Sequence, residues 1–168
     1  MAQSSFTEKK YFGKIEKKCA SLFEAACSCG ALAANGSRNE ISVLRSFGKN
    51  YGLAFQIKDD LSDFEFLGND TNPDINKFRS TLPVIHAYSK MNKHEQSLFE
   101  NISSKQTQES LRTIFHEISK NKNSEPLTYC AKKVDLYVDK AVKNIEPLET
   151  TPYKDYLIQM ADSLRVRR

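Results

Sequence analysis

FQIKDDLSDF, residues 55–64, runs from an apolar lead into the tightest acidic cluster of this chain. It sets three carboxylates, Asp59, Asp60 and Asp63, in a DDxxD array. On a helix, Asp59 and Asp63 are one turn apart and share a face, while Asp60 lies about 100° round from Asp59. Two readings of such a cluster are open. On a wet helix face, like charges one turn apart cost only about 0.2–0.5 kcal/mol and need no remedy. In a partly buried groove, two carboxylates about 5 Å apart repel by roughly 3 kcal/mol at an effective dielectric near 20, and a cation becomes the natural remedy. The residues leading in, GLAFQI (52–57), are almost wholly apolar, as in a helix inside a bundle, and favour the groove. Clustered hard oxygen donors suit Mg²⁺, an ion usually held by one or two carboxylates together with the phosphates of a substrate.

Outward from the acids the hydrophobic period is helical almost throughout, and no alternating β-branched run marks a strand. A first helix is predicted from Thr7 to Ala34, with Ile15, Leu22, Ala26, Cys29 and Ala33 at three- and four-residue spacing, ending at Asn35-Gly36. A second starts near Asn39 and carries Ile41, Leu44, Phe47, Tyr51, Phe55 and the acids. LGNDTNPDIN, residues 67–76, has the Gly, Asn, Asp and Pro content of a loop. Helices are then expected over Thr81–Met91 with Pro83 in the first turn, and over His94–Ile102, Gln106–Ser119, Pro126–Ile145 and Lys154–Leu164. The expected architecture is all-α, one helical bundle domain over residues 1–168.

With 39% hydrophobic and 27% charged residues, the chain has the composition of a globular protein. No window approaches the ~20 apolar residues of a membrane span, and the first residues lack the apolar core of a secretory signal, so a cytoplasmic location is expected. Cys19, Cys27, Cys29 and Cys130 fit neither a CxxC pair nor a disulfide framework, and reduced thiols are expected. His86, His94 and His116 show no zinc spacing and receive no role. A net charge of +4 without interleaved basic and aromatic residues argues against nucleic acid. A positive chain with one tight acidic cluster better fits a small anionic ligand bridged by metal.

Four segments, in order, resemble the C-terminal half of the trans-isoprenyl diphosphate synthases, the polyprenyl synthetase family. KKCASLFEAACSCGA (17–31) is similar to that family's KTAxLFxxAxxxGA helix, and FQIKDDLSDF to its second aspartate-rich motif, FQxxDDxxD. DINKFRSTLPVIHAY (74–88) resembles the DLREGKxTLPLIxAL segment, and the end, YLIQMADSLRVRR, the closing helix with its basic terminus. The resemblance implies part of an isoprenoid synthase-like helical bundle, in which Mg²⁺ between two aspartate-rich motifs grips an allylic prenyl diphosphate for condensation with isopentenyl diphosphate. By position it makes Asp59, Asp60 and Asp63 metal ligands. Lys18 becomes a cation touching the diphosphate, Arg79 a second diphosphate contact, and Gln56 a polar group near the reacting centre. Read without the family, Lys18 is an ordinary exposed lysine and Gln56 a polar residue satisfied in the core. Family members generally dimerise, and a homo- or hetero-oligomer is expected. The RVRR tail, Arg165 to Arg168, is either a frayed basic end or, by resemblance, a flap closing toward the diphosphate.

The departures are specific. Cys19 stands at the family's threonine, Asn69 at the lysine of its GK pair in a gap-free alignment, and Arg79 at another lysine. Residues 1–58 contain no aspartate, and no second DDxxD occurs in the sequence. Chain elongation by these 168 residues alone is therefore not expected; isopentenyl diphosphate would be used only with a front-half chain supplied. Two readings follow: the rear half of a prenyltransferase, which the retained aspartates favour, or a non-catalytic helical partner that modulates a complete synthase, which Cys19 and Asn69 favour.

Overall fold

In the computed structural model, residues 7–66, 80–104, 109, 113 and 125–166 are described, and all regular elements among them are helical. They are α1 (Glu8–Ile15), a π-helical turn (Glu16–Ala20), α2 (Ser21–Ala33), α3 (Arg38–Phe66), α4 (Leu82–Lys90), α5 (Lys93–Ser104), α6 (Glu125–Ile145) and α7 (Pro152–Asp162). The helix expected from Thr7 to Ala34 is thus one helical run broken by a π turn. The Ser21 amide reaches back to the Glu16 carbonyl, and the Ser21 hydroxyl bonds the Lys17 carbonyl at 2.8 Å. A single wide turn leaves the hydrophobic period almost unchanged, so periodicity cannot register it. The 67–76 loop and all but two residues of the 106–119 helix lie outside the described residues. No described helix is long and apolar enough to cross a membrane.

Local sequence sets the helix ends. Ser37 and Glu40 form a reciprocal capping box at the start of α3 (Ser37 N to Glu40 Oε2 2.7 Å, Glu40 N to Ser37 Oγ 3.2 Å), and Asn92 with Glu95 repeats it for α5. The Ser37 hydroxyl and amide together hold the Glu40 carboxyl below its ordinary range. Thr7 caps α1 through the Lys10 amide, and Thr151 caps α7 through the Lys154 amide, with Pro152 in the first turn. At the end of α2, Asn35 takes a positive φ of 55°. Gly36 N then reaches Ala31 O (2.9 Å) and Asn35 N reaches Leu32 O (3.0 Å), the paired bonds of a Schellman stop.

The chain divides into two compact units, Met1–Tyr11 with Asp59–Cys130, and Phe12–Lys58 with Ala131–Arg168. In the first, α4 is buried from Leu82 to Tyr88, along with Tyr11, Leu61, Phe99 and Cys130. His86 is a satisfied core histidine: its ring stacks on Tyr129 at 3.8 Å and its Nε2 lies 3.0 Å from Glu125 Oε1. In the second unit, α6 buries Val134, Val138, Ala141 and Ile145, a stripe at helical spacing with none of the four exposed. Arg165, just past α7, is clasped by Asp162 (2.9 Å), Asp139 (2.7 Å) and Asp135 (3.8 Å), so this residue of the basic tail is a tether to α6. Asp139 and then Asp162 hold its guanidinium even more firmly protonated.

In the second unit α3 meets the π turn and α2 through glycines. A Cβ on Gly48 would lie 2.4 Å from the Phe23 carbonyl oxygen, and one on Gly52 would lie 2.7 Å from Ala20 Cα. Only a residue without a side chain lets the two backbones come this near. Phe23 then fits against Tyr51 and Phe55, with ring centroids 5.0 and 5.3 Å away. The other helical glycines, Gly13 and Gly30, face open space. The four sites therefore differ in sign. Gly13→Ala and Gly30→Ala should each raise stability by up to about 1 kcal/mol through helix propensity. Gly48→Ala and Gly52→Ala should lose about 1–3 kcal/mol through overpacking against backbone, despite the same propensity gain. Urea unfolding of the four variants reads this directly; equal stabilisation at all four would deny the close approach.

Candidate metal and diphosphate site

The acidic cluster lies on α3, as its spacing predicts, and belongs to the first unit. Its three members have different surroundings. Asp60 is 6% exposed, and its Oδ2 accepts two hydrogen bonds: from the Tyr11 hydroxyl at 2.7 Å and from the Leu82 amide at 3.2 Å. Leu82 opens α4, where amides have no intrahelical acceptor and the helix dipole presents its positive end. The N-cap residue Thr81 makes no side-chain capping bond there, and the carboxylate from α3 supplies the acceptor instead. Tyr11 is 3% exposed, and a phenol buried that deeply requires a partner. Burial first, then the negative charge and hydrogen bond of Asp60, push its hydroxyl far above the ordinary phenol range, so it remains a donor.

Helix geometry turns the burial of Asp60 into a rule for its neighbours. At about 100° per residue, Asp63 is about 60° round from Asp60 and Asp59 about 100° round in the same direction, so Asp59 and Asp63 are only about 40° apart. Exposure follows those angles: Asp60 is buried, Asp63 is half-buried and Asp59 is exposed. Among the described residues no three Asp, Glu, His or Cys side chains gather into a metal-holding group. Asp60 Oδ2 is turned to Tyr11 and Leu82. Asp59 and Asp63 remain as a pair of hard donors on one face. That pair fits Mg²⁺, which takes one or two carboxylates and completes its shell with water and phosphate oxygens.

Lys18 and Gln56 belong to the second unit. Lys18 is exposed on the π turn, with Cys19 half-buried beside it. Gln56 is half-buried on α3, one turn beyond the glycine that meets Ala20. Arg79 and Asn69 lie outside the described residues. Sequence reasoning passed over Tyr11. The signal was present: Tyr11 stands four residues before Ile15 on the same face, and a tyrosine in a core stripe calls for a buried acceptor.

Comparison with known proteins gives this arrangement a lineage. The family model described as polyprenyl synthetase matches residues 1–118. The octaprenyl diphosphate synthase of Escherichia coli is 31% identical over 160 residues, covering 92% of this chain and 49% of that protein. Among solved structures, a polyprenyl synthase from Roseobacter denitrificans superposes with a TM-score of 0.81 at 29% identity, over 94% of this chain and 52% of the other. A second polyprenyl synthase, from Caulobacter crescentus and complexed with calcium and isoprenyl diphosphate, gives a TM-score of 0.80 at 28% identity over 94% and 49%. The chain spans about half the length of the relatives it matches. The fold is the all-α isoprenoid synthase fold. A matched family model, the ordered motifs and the shared helical fold agree: this chain belongs to the polyprenyl synthetase family.

Proposed function

We propose that these residues form the rear half of a polyprenyl synthetase domain, the part of a trans-prenyltransferase that holds an allylic prenyl diphosphate. The observation that carries the reading is the pairing of Asp59 and Asp63, one turn apart on α3 and on its more exposed side. In this reading the two carboxylates hold Mg²⁺ against diphosphate oxygens. When bound, the ion neutralises charge that develops on the leaving diphosphate.

The chain's own residues take the other tasks. Lys18, exposed on the π turn, supplies a compact positive charge that offsets the diphosphate's charge and favours its departure. Arg79 adds a guanidinium able to bind two phosphate oxygens at once. Gln56 is uncharged, so it orients the substrate near the reacting carbon without competing for the metal. Attack by isopentenyl diphosphate needs a chain that carries the first aspartate-rich motif, so a homo- or hetero-oligomeric assembly is part of the proposal, with the cytoplasm as its compartment. A second reading, a non-catalytic partner that modulates a complete synthase, draws on Cys19, a weak thiol donor where the family has a hydroxyl.

Calorimetric titration of the chain with inorganic pyrophosphate, with and without Mg²⁺, separates the two. The expected result is binding that requires Mg²⁺ and weakens about 10-fold or more in Asp59→Ala and in Asp63→Ala, at least the scale on which outer-shell partners of a metal act. Prenyl transfer should appear only on mixing with a chain carrying the first motif. Association with a complete synthase that ignores both substitutions would instead establish the modulating partner.

A further inference from the structure

We infer that Asp60 and Tyr11 act together as a positioning pair that sets the rotation of α3, so that Asp59 and Asp63 present their carboxylates to the metal while Asp60 itself does not ligate. The inference rests on the proposed metal–diphosphate reading and gives the three acids of one motif two different tasks. Three observations meet in it. The Asp60 carboxylate is buried, and a single oxygen, Oδ2, accepts from both the Tyr11 hydroxyl at 2.7 Å and the Leu82 amide at 3.2 Å. The donors come from α1 and from the first residue of α4, so one oxygen of α3 joins three helices within the first unit. The exposures of Asp63 and Asp59 follow their angular distance from Asp60.

The arrangement works as a peg. A helix is free to turn about its own axis unless a side chain is held from the side, and apolar packing alone resists small rotations weakly. A charged acceptor held by a phenol and by an amide at a helix N-terminus has strict distance and angle demands. A rotation that moved Oδ2 by about 1 Å would carry one of them out of hydrogen-bond range. The same rotation would carry Asp59 and Asp63 off the direction in which a shared cation is held, and metal affinity is sensitive to the groups that orient its ligands.

A second pair supports α1 in place. Tyr129 donates to Glu8 Oε1 at 2.6 Å, one turn before Tyr11, so α1 is held at two successive levels. The Tyr11 hydroxyl therefore arrives at Asp60 from a helix that is itself anchored.

The test compares Mg²⁺-dependent binding of inorganic pyrophosphate by calorimetry across Asp59→Asn, Asp60→Ala, Asp60→Asn, Tyr11→Phe and the double variant Tyr11→Phe/Asp60→Ala, with circular dichroism confirming the helical fold of each. Asn keeps an oxygen that accepts from both donors but loses the charge a ligand needs. The pair predicts that Asp60→Ala and Tyr11→Phe each weaken binding about 10-fold, that the double variant is no worse than Asp60→Ala, and that Asp60→Asn restores most of the loss. Asp59→Asn should show no such recovery relative to Asp59→Ala. Asp60→Asn binding as poorly as Asp59→Asn would make Asp60 a ligand and overturn the inference, as would wild-type affinity in Tyr11→Phe. If the unaltered chain binds no pyrophosphate with Mg²⁺, the diphosphate reading fails, and this inference falls with it; that result is distinct from either of the others.

Discussion

Three negative charges within two turns of one helix are the constraint around which this molecule is organised. The chain does not spread them evenly. Asp60 is taken into the interior, where it answers two needs at once: a buried phenol that must donate, and the first amide of a helix that lacks an intrahelical acceptor. Burying a carboxylate is costly unless donors surround it, and here the donors come from helices far apart in sequence. Asp59 is exposed and Asp63 half-buried. With one of the three charges held by donors, the pair one turn apart repels only modestly where it is exposed.

The same helix solves an unrelated problem in its first half. Gly48 and Gly52 form a strip without side chains, and the π turn and α2 come down onto it until backbone meets backbone. Glycine in a helix interior costs about 1 kcal/mol against alanine, and the strip has two. The cost is offset by the aromatic contacts of Phe23 with Tyr51 and Phe55 that the close approach permits. The contact falls at Ala20, the last residue of the π turn that carries Lys18, so that turn is seated against α3. α3 is thus a packing surface from Phe47 to Ala54 and carries the acidic cluster from Asp59 onward, both along one 29-residue helix.

Much of this was legible in the sequence because it depends on neighbours a few residues apart. The helices over Thr81–Met91 and Pro126–Ile145 match α4 and α6 within a residue, and the Asn35-Gly36 stop is a Schellman turn. Lys154–Leu164 began two residues late, because Thr151 and Pro152 form a cap and first turn whose signal is chemical rather than periodic. The π turn at Glu16–Ala20 could not be told from the pattern, since the flanking apolar stripes are too short to show where the phase changes. What the sequence could not carry was pairing at a distance. Tyr11 and Asp60 are 49 positions apart, and nothing local in either segment names the other.

That difference explains why a motif is an incomplete guide to the residues inside it. A DDxxD pattern treats its acids as equivalent, and resemblance assigned all three to metal. Helix geometry gives them different directions: the adjacent acids diverge by about 100°, Asp60 and Asp63 by about 60°, and Asp59 and Asp63 by about 40°. In this helix, packed on one side, the middle acid faces the interior. An aspartate that points inward needs donors, and the chain provides them from the start of α4 and from a phenol on α1. The angle between successive residues thus gives the acids of one motif different surroundings: the middle one is held by the fold, while the first is exposed and the last half-buried.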